Sequence, residues 1–458
     1  MIKKLWNRLF EQNANDPHLA ELPVVLQRAE HQVSRKQISK NALKVLYRLN
    51  NAGFEAYLVG GGVRDILLGL SPKDFDIATD ATPEQVSKLF RNCRLIGRRF
   101  RLAHILFGRE VIEVATFRAS HDNTSSSHAQ TSEQGLLVRD NVYGNLEEDA
   151  FRRDFTVNAL YYCAKDFSVR DHVGGLADLQ ARQLRLIGDA QARYQEDPVR
   201  ILRAIRLSCK LDLAIEKQTA APIAELSEML EHVSPARLWD ECSKLFLAGY
   251  AAKTWRSLVD FDVAPHLFRQ TCDALAQDNN RTFAHFVEAA LSSTDKRISQ
   301  DLPVTPAFLF AVFLWQPMQK LTQSLIVKGL PPYEASQKAA TQVLETQRRA
   351  IAIPKRFSLV AREIWSLQHR LTNRRKRNVD NLIQHQRFRA AYDFLCLRAG
   401  DDPELQELAK WWTDYQDAAA EQRSHMVKAV QQPSPANKKR KKRRPNRYAR
   451  NRGPANQQ

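Results

Sequence analysis

Two carboxylates, Asp74 and Asp76, lie on either side of Phe75 and form the part of the sequence best suited to chemistry. If Phe75 lies on a strand, the alternation of side chains places both carboxylates on one face. Side by side they repel each other unless a cation lies between them. The preceding glycine run, Gly60–Gly62, predicts a turn whose backbone N–H groups can hold phosphate. Because Mg²⁺ prefers carboxylate and phosphate oxygens, the pattern predicts a nucleoside triphosphate held by two metal ions.

Two later acidic residues compete to complete this carboxylate set. Glu113 is the only charge in the apolar run from Val111 to Phe117, and a lone carboxylate there is costly to bury unless it meets a cation or donors. Asp154 follows a charged segment and precedes an apolar one. The structural alternatives are a paired edge-strand residue for Glu113 and a helix cap for Asp154. Both residues remain candidates for the third catalytic carboxylate.

The glycine run opens a short segment, Val63–Gly69, whose pattern predicts a helix. The amino end of such a helix offers N–H groups and a positive dipole to phosphate, which makes Gly61 and Gly62 candidate nucleotide contacts. Arg64 could add a charge-assisted hydrogen bond. Three glycines alone can also mark an ordinary strand-to-helix turn, so the prediction rests on their combination with Asp74 and Asp76.

A second cluster begins at Asp197-Pro198, a typical start of a helix, so helix capping is the default role of Asp197. Arg200, Arg203 and Arg206 then recur every three residues, and the other side of the same helix is apolar. An arginine stripe of this kind is often a solvated surface. Here it would also suit the binding of phosphates or of a base edge.

The elements that must position these residues form a small mixed sheet followed by helices. Thr82 and Pro83 predict the start of a helix between two strands. Beyond about residue 190 the strand patterns fade, and helical patterns continue to about residue 425. The remaining predicted elements of the first part are a helix over 42–49 and strands over 56–59, 75–78, 104–107 and 111–117.

Composition narrows the classes of protein to consider. A chain of 458 residues should form two or more domains, and its net charge of +18 comes partly from Lys438–Arg452, which holds ten basic residues and no acid. Six cysteines without a CxxC pair indicate buried thiols in a reducing cytoplasm. No apolar run is long enough to span a membrane. Residues 1–10 could form an amphipathic helix with weak membrane-surface contact, or a solvated terminus.

With these motifs assembled, the chain resembles the bacterial poly(A) polymerases, class II nucleotidyltransferases related to the CCA-adding tRNA enzymes. The resemblance covers about residues 35–420. The matching segments are Gly60–Gly69, Asp74–Asp76, Arg152–Asn158 and Glu196–Arg203. The segment Leu95–Ile105 and the basic carboxyl tail favour poly(A) polymerase over the CCA-adding branch.

The resemblance implies a role for each motif residue. Asp74 and Asp76 would be the metal-binding catalytic carboxylates, and Asp154 matches a family active-site aspartate, so it ranks above Glu113 for that role. Asp197 and Arg200 match the pair that reads the base in related enzymes. The positions that match other nucleotide contacts are Gly61, Arg64, Arg153, Arg203 and Arg206.

The expected fold is α+β, with a small mixed-sheet nucleotidyltransferase head, an all-helical neck and body, and a disordered basic tail. The expected domains are a flexible lead-in (1–40), a catalytic head (41–180), a neck for base recognition (181–250), an RNA-binding body (251–428) and the tail (429–458). RNA should be held through its phosphates. The expected RNA contacts are Arg98, Arg99, Arg101, Lys438, Lys439 and Arg440.

The expected reaction is template-independent polyadenylation of RNA 3′ ends from ATP, with two Mg²⁺ ions, Mn²⁺ as a substitute, and pyrophosphate as the second product. It would take place in the cytoplasm and serve RNA turnover, with a helicase, a nuclease or an RNA chaperone as possible decay partners. The alternatives are a CCA-adding tRNA nucleotidyltransferase and a non-catalytic RNA-binding adaptor. An adaptor has no need of a carboxylate cluster that repels RNA, and this disfavours the last alternative.

Overall fold

A computed structural model describes residues 22–97, 101–119, 130–131, 137–139 and 142–431. Its amino-terminal part is built on an eight-stranded mixed sheet, in the spatial order β1-β10-β9-β2-β3-β6-β5-β4. Only β3 and β6 pair in parallel within that sheet, and the remaining pairs are antiparallel. The strands are β1 (Val24–Leu26), β2 (Ala56–Val59), β3 (Asp76–Thr79), β4 (Cys93–Ile96), β5 (Leu102–Phe107), β6 (Glu110–Thr116), β7 (Gln130–Thr131), β8 (Leu137–Arg139), β9 (Leu160–Cys163), β10 (Val169–Asp171), β11 (Gln183–Leu184) and β12 (Ala214–Ile215).

The predicted strands and helices around the glycine run are present, some with shifted bounds: the strand predicted over 75–78 begins at Asp76, so Phe75 and Asp74 precede it, and the helix predicted over 63–69 is Gly61–Leu67. The strand over 56–59 has the predicted bounds, and the helix that begins at Pro83 is closed by a capping box from Thr82. Ser39 caps the helix Lys40–Asn51, whose apolar side is buried. Sequence patterns missed the short strands β4, β9 and β10.

The predicted lead-in is part of the sheet from Val24 onward. Strand β1 (Val24–Leu26) pairs in antiparallel register with β10, so it forms one edge of the sheet. Its three residues are half-buried or exposed. Residues 1–21, including the segment predicted to touch a membrane surface, lie outside the described residues.

The rest of the chain is mostly helical, as predicted, although β11 and β12 form a two-residue parallel pair within the predicted neck. The described helices of the head and neck are α1 (Lys40–Asn51), α2 (Gly61–Leu67), α3 (Pro83–Leu89), α4 (Leu146–Arg152), α5 (Gly175–Gln180), α6 (Ala190–Glu196), α7 (Val199–Leu211), α8 (Lys217–Ala220), α9 (Ile223–Leu226), α10 (Pro235–Phe246), α11 (Ala251–Asp260) and α12 (Ala264–Ala276). The helices that follow are α13 (Thr282–Ser299), α14 (Pro306–Phe313), α15 (Trp315–Val327), α16 (Pro332–Ala350), α17 (Lys355–Thr372), α18 (Lys376–Ile383), α19 (Phe388–Ala399), α20 (Pro403–Asp417) and α21 (Ala420–Gln431).

The chain divides into two compact units. The first comprises Met1–Cys272 with Thr294–Leu302 and Thr346–Ala352, and it contains the sheet together with helices α1 to α11. The second is helical, and one of its cores surrounds the fully buried Trp412. Helix α21 runs to Gln431, beyond the predicted start of the tail at residue 429, and the remainder of the tail lies outside the described residues. In the described part of the chain, no helix is both long enough and apolar enough to cross a membrane.

Candidate active site

The sheet brings Asp76 and Glu113 together. Asp76 opens β3 and pairs in parallel register with Glu113 on β6, and Asp74 precedes it by two residues. Partial burial raises the pKa of Asp76 to about 6, and the negative charges of Glu113 and Asp74 contribute to the shift. A carboxylate with a pKa raised by neighbouring carboxylates marks a place where a cation would be stabilising.

These three residues suit a hard divalent cation by donor type, because carboxylate oxygens are the ligands such ions prefer. Asp74 and Asp76 are exposed, and the Glu113 side chain is 41% exposed. Within the part of the chain that the structure describes, no set of three or more His, Cys, Asp or Glu side chains already has metal-site geometry. Oxygens from water or from a bound ligand would complete the coordination of such an ion.

Asp154 lies in a different environment from Glu113. Its Oδ1 accepts hydrogen bonds from the Phe155 N–H (2.8 Å) and from Asn158 Nδ2 (3.0 Å), and its Oδ2 accepts one from Arg203 Nε (2.8 Å). Burial alone would raise the pKa of Asp154, but the Arg203 charge and these donors hold it well below its usual range. Asp154 thus joins the strand side of the site to helix α7. Of the two competing residues, the sheet pairs Glu113 with Asp76.

The glycine turn is shaped for close approach. Gly60 has a φ of +68°, a conformation that favours glycine, and the seven-residue helix α2 follows it. Arg64 is buried in that helix and donates to Oδ1 of Asn158 (2.5 Å) and to Oδ1 of Asp65 (2.9 Å). A Cβ on Gly61 would lie 3.5 Å from Arg64 Nη2. The buried side chain of Arg64 therefore stabilises the glycine turn through these hydrogen bonds.

The residues predicted to read a base are both held by partners. Asp197 Oδ2 accepts a 2.7 Å hydrogen bond from Arg237 Nη2, and its Oδ1 lies 3.3 Å from the N–H of Val199 at the start of helix α7. Arg200 Nη1 donates to Glu196 Oε2 at 2.7 Å. The predicted N-cap is displaced by one residue: Pro198 is the N-cap of helix α7, and Asp197 precedes it. Sequence reasoning did not find Arg237, because it is 40 residues away from Asp197 along the chain.

The stripe on helix α7 faces the rest of the site. Arg203 contacts Asp154, and Arg206 has a buried Nε without a hydrogen-bond partner in the described residues. Burial lowers the pKa of Arg206. Arg153 is held by Asp149 (2.9 Å from Nη2) and by the Tyr161 hydroxyl (2.8 Å from Nε).

Three further arginines gather near these residues, and sequence reasoning missed them. Burial lowers the pKa of Arg152 to about 9, and the positive charges of Arg118, Arg193 and Arg200 add to the effect. Burial likewise lowers the pKa of Arg193 to about 10. Half-buried arginines that lower each other's pKa in this way form a region of positive charge that an anionic group would stabilise. The only sequence signal was that Arg152 is adjacent to Arg153.

The predicted RNA contacts fall mostly on residues that the structure does not describe. Arg98, Arg99, Lys438, Lys439 and Arg440 lie outside the described residues. Arg101 is described and forms an exposed ion pair with Glu84. Its role in RNA binding stays a prediction.

Comparison with known proteins identifies the class first. The sequence matches three family models: "Poly A polymerase head domain" over residues 56–185, "Probable RNA and SrmB- binding site of polymerase A" over 212–275, and "Polymerase A arginine-rich C-terminus" over 328–448. The fold is similar to a solved "tRNA-processing enzyme (apo form I)", with a TM-score of 0.58 and 20% identity, over 87% of this chain and 98% of that one. A tRNA nucleotidyltransferase solved with a primer tRNA and an incoming ATP analog gives a TM-score of 0.53 at 20% identity, over 81% and 98% of the two chains. The fold is that of a nucleotidyltransferase.

Relatives at higher identity narrow the class. Poly(A) polymerase I of Escherichia coli O6:H1 is 48% identical over 93% of this chain and 92% of its own length. Poly(A) polymerase I of Haemophilus influenzae is 47% identical over 91% and 93% of the two chains. A CCA-adding enzyme of Lactobacillus gasseri is 36% identical, but over only 55% of this chain and 61% of its own length. The chain belongs to the bacterial poly(A) polymerase family, which confirms the predicted resemblance.

Proposed function

We propose that the chain is a polynucleotide adenylyltransferase that adds AMP from ATP to RNA 3′ ends without a template and releases pyrophosphate. The match to poly(A) polymerase I over 93% of the chain carries this conclusion. The register pairing of Asp76 with Glu113 supplies a carboxylate site at which the reaction can occur. The CCA-adding alternative is disfavoured because that relative covers little more than half of the chain.

Asp74, Asp76 and Glu113 would hold the divalent cations, two Mg²⁺ ions with Mn²⁺ as a substitute. Such ions lower the pKa of an attacking hydroxyl and neutralise charge on a leaving pyrophosphate. By holding the cations, the three carboxylates would keep positive charge at the α-phosphate of ATP and orient the acceptor RNA. Asp154 positions Arg203 through their ion pair. Little covalent work is left for the protein, so positioning and electrostatics supply most of the acceleration.

The arginine cluster would bind the triphosphate of ATP. The lowered pKa values of Arg152 and Arg193 support this role, because each phosphate oxygen brought nearby would relieve repulsion among the guanidinium groups. Arg153, Arg203 and Arg206 lie on the adjoining elements and add charge-assisted hydrogen bonds. Gly61 and Gly62 leave room for the phosphates at the turn.

Selection of adenine would fall to Asp197 and Arg200. A carboxylate accepts from the adenine N6 amine while an arginine donates to the N1 ring nitrogen. Cytosine presents a similar donor beside an acceptor, so the orientation of the pair must contribute to selectivity. Arg237 holds one oxygen of Asp197 at 2.7 Å, and Glu196 holds Arg200 at 2.7 Å, which supports a fixed orientation.

RNA would be bound largely through its phosphates by the basic tail and Arg101, in the cytoplasm, where RNA-decay proteins are possible partners. Deleting residues 436–458 would then weaken RNA binding more than it changes the chemical step.

The decisive experiment extends a defined RNA oligomer with each of the four nucleotides and Mg²⁺, in parallel with a tRNA that lacks its 3′ end. We expect long A-only products. A three-nucleotide CCA addition to the tRNA would overturn the assignment, and RNA binding without incorporation of any nucleotide would favour an adaptor. Asp74→Ala and Asp76→Ala should each abolish transfer while circular dichroism remains unchanged. Substantial activity in either variant would exclude the metal-binding role.

A further inference from the structure

Four charged or polar side chains lie in one register row across four neighbouring strands. Asp76 on β3 pairs with Glu113 on β6, Glu113 pairs with His104 on β5, and His104 pairs with Arg94 on β4. Residues directly opposite each other on neighbouring strands project from the same face of a sheet. The row therefore leads from the catalytic carboxylates to the edge strand β4, and Nε2 of His104 lies 3.3 Å from Oε2 of Glu113.

This face is the open one over the last three strands. On β6, Ile112 and Val114 come directly before and after Glu113, and their side chains are buried on the opposite face of the sheet. On β5, Ala103 and Ile105 are buried while His104 is half-exposed. Helix α3 packs against β4, β5 and β6, which accounts for the buried side.

Apolar side chains accompany the row on the open face. Ile96, two residues from Arg94 on β4, is 46% exposed, and Val111, two residues from Glu113 on β6, is 41% exposed. Ile96 is the last residue of the edge strand β4 and Val111 is the second residue of β6, so each provides an exposed apolar contact on one side of the charged row. Arg94 is itself exposed and has no ion pair among the described residues.

The same sheet face is closed on the other side of Asp76. There, Val59 on β2, Ala78 on β3 and Tyr161 on β9 pack in one apolar cluster with Leu146 and Ala150 of helix α4. A bound polymer whose end lies at Asp76 and Glu113 therefore cannot continue across β2 and β9. Among the described residues, the open direction along the face runs over β6 and β5 to β4.

We propose that this open face, formed by Arg94, Ile96, His104 and Val111, binds the last nucleotides of the acceptor RNA, with Arg94 contacting a backbone phosphate and Ile96 and Val111 packing against ribose or base. The inference rests on the proposed function, because it is the reaction that places the RNA 3′-hydroxyl at Asp76 and Glu113. The occupant is single-stranded RNA: its 3′ end must reach the carboxylates while the strand behind it extends away from them, and its phosphates complement the charge of Arg94. Neighbouring strands are about 4.8 Å apart, so Arg94 lies about 14 Å from Asp76 across three strand spacings and would meet a phosphate behind the terminal nucleotide.

The test compares Arg94→Gln and Ile96→Ser with a matched control, Lys88→Gln, which removes the same charge. Lys88 is also exposed and lies on helix α3, which packs against the opposite face of β4, β5 and β6. In AMP incorporation with a defined RNA oligomer, we expect KM for RNA to rise about tenfold in Arg94→Gln, with KM for ATP and kcat at saturating RNA nearly unchanged. Loss of one single-strand phosphate contact should also lower the slope of log Kd against log salt by about 0.7. The control should match the wild type, and Arg94→Lys should restore most of the RNA affinity.

Shortening the acceptor supplies a second readout. With a dinucleotide acceptor, which is too short to reach Arg94, the wild type and Arg94→Gln should become equivalent. Equal KM values for the wild type and Arg94→Gln on the long oligomer would overturn the inference, as would an equal rise in the Lys88→Gln control. Failure of the wild type to incorporate AMP would instead overturn the proposed function, so the two failures are distinguishable.

Discussion

Replacing Asp76 with asparagine should make the metal-free protein more stable while it abolishes activity. Asp76 has a pKa of about 6 against an ordinary value of 3.8, because of partial burial and the charges of Glu113 and Asp74. A shift of about two pKa units corresponds to about 3 kcal/mol of unfavourable interaction for the ionised form. Because Asp76 is exposed, solvent screening should reduce this to about 1 kcal/mol.

The sign of the effect fixes its pH dependence. The pKa of Asp76 is higher in the folded state than in the unfolded one, so the ionised carboxylate disfavours folding. The cost is nearly absent below about pH 4, grows as pH rises and is complete above about pH 6. The stability gained by Asp76→Asn should therefore be about 1 kcal/mol at pH 8 and roughly half of that at pH 5.

The assay is urea unfolding of the wild type and Asp76→Asn in EDTA at both pH values, repeated with Mg²⁺ at pH 8. Mg²⁺ should stabilise the wild type more than the variant, because the variant has lost a carboxylate ligand. Asp80→Asn is the matched control: Asp80 is exposed just beyond the end of β3 and accepts a 2.8 Å hydrogen bond from the Glu55 N–H, which asparagine can also accept. Equal loss of stability in Asp76→Asn at both pH values would refute the reasoning.

Three further outcomes follow from the same geometry. Asp154→Asn should lower the free energy of unfolding by about 1–2 kcal/mol, because it removes the charge partner of Arg203, whose side chain is 39% exposed and therefore partly screened by solvent; thermal unfolding measures this, and an unchanged Tm would contradict it. Arg237→Met should raise KM for ATP and reduce the preference for ATP over CTP, because Asp197 loses a charged partner at 2.7 Å. Competition between the two nucleotides in single-turnover extension measures this preference. An unaltered preference would count against a role of Arg237 in positioning Asp197. Deleting residues 436–458 should raise KM for RNA and flatten its salt dependence while kcat at saturation is kept; a collapse of kcat with intact RNA affinity would speak against the predicted tail contacts.

Much of the site could be predicted from the sequence because its signals are local. The glycine run, the carboxylates two positions apart and the Thr82-Pro83 helix start each depend on neighbours a few residues away. The strand at Ala56–Val59 and the capping box at Thr82 follow those predictions. The family match confirms the predicted class from the same motifs.

The pairings across the chain could not be predicted in this way. The resemblance ranked Asp154 above Glu113 as the active-site aspartate and left Glu113 as a possible third carboxylate by geometry. The structure adds their partners: the register of β3 and β6 places Glu113 beside Asp76, and Asp154 accepts a hydrogen bond from Arg203. Register depends on which strands become neighbours, and the local pattern of either strand does not contain that information. Arg152 opens the matching segment Arg152–Asn158, but the sequence did not show that it lies near Arg193 and Arg200.

The amino-acid sequence by itself determined which residues are capable of the chemistry and which short elements carry them, because backbone conformation and side-chain alternation are set by near neighbours. Tertiary structure alone decided their partners. It paired Arg237 with Asp197 across 40 residues and Arg203 with Asp154 across 49. It also aligned Arg94 with Asp76 through two intervening strands. These contacts exist only after strands and helices have packed, since packing is what brings distant charges within reach of each other.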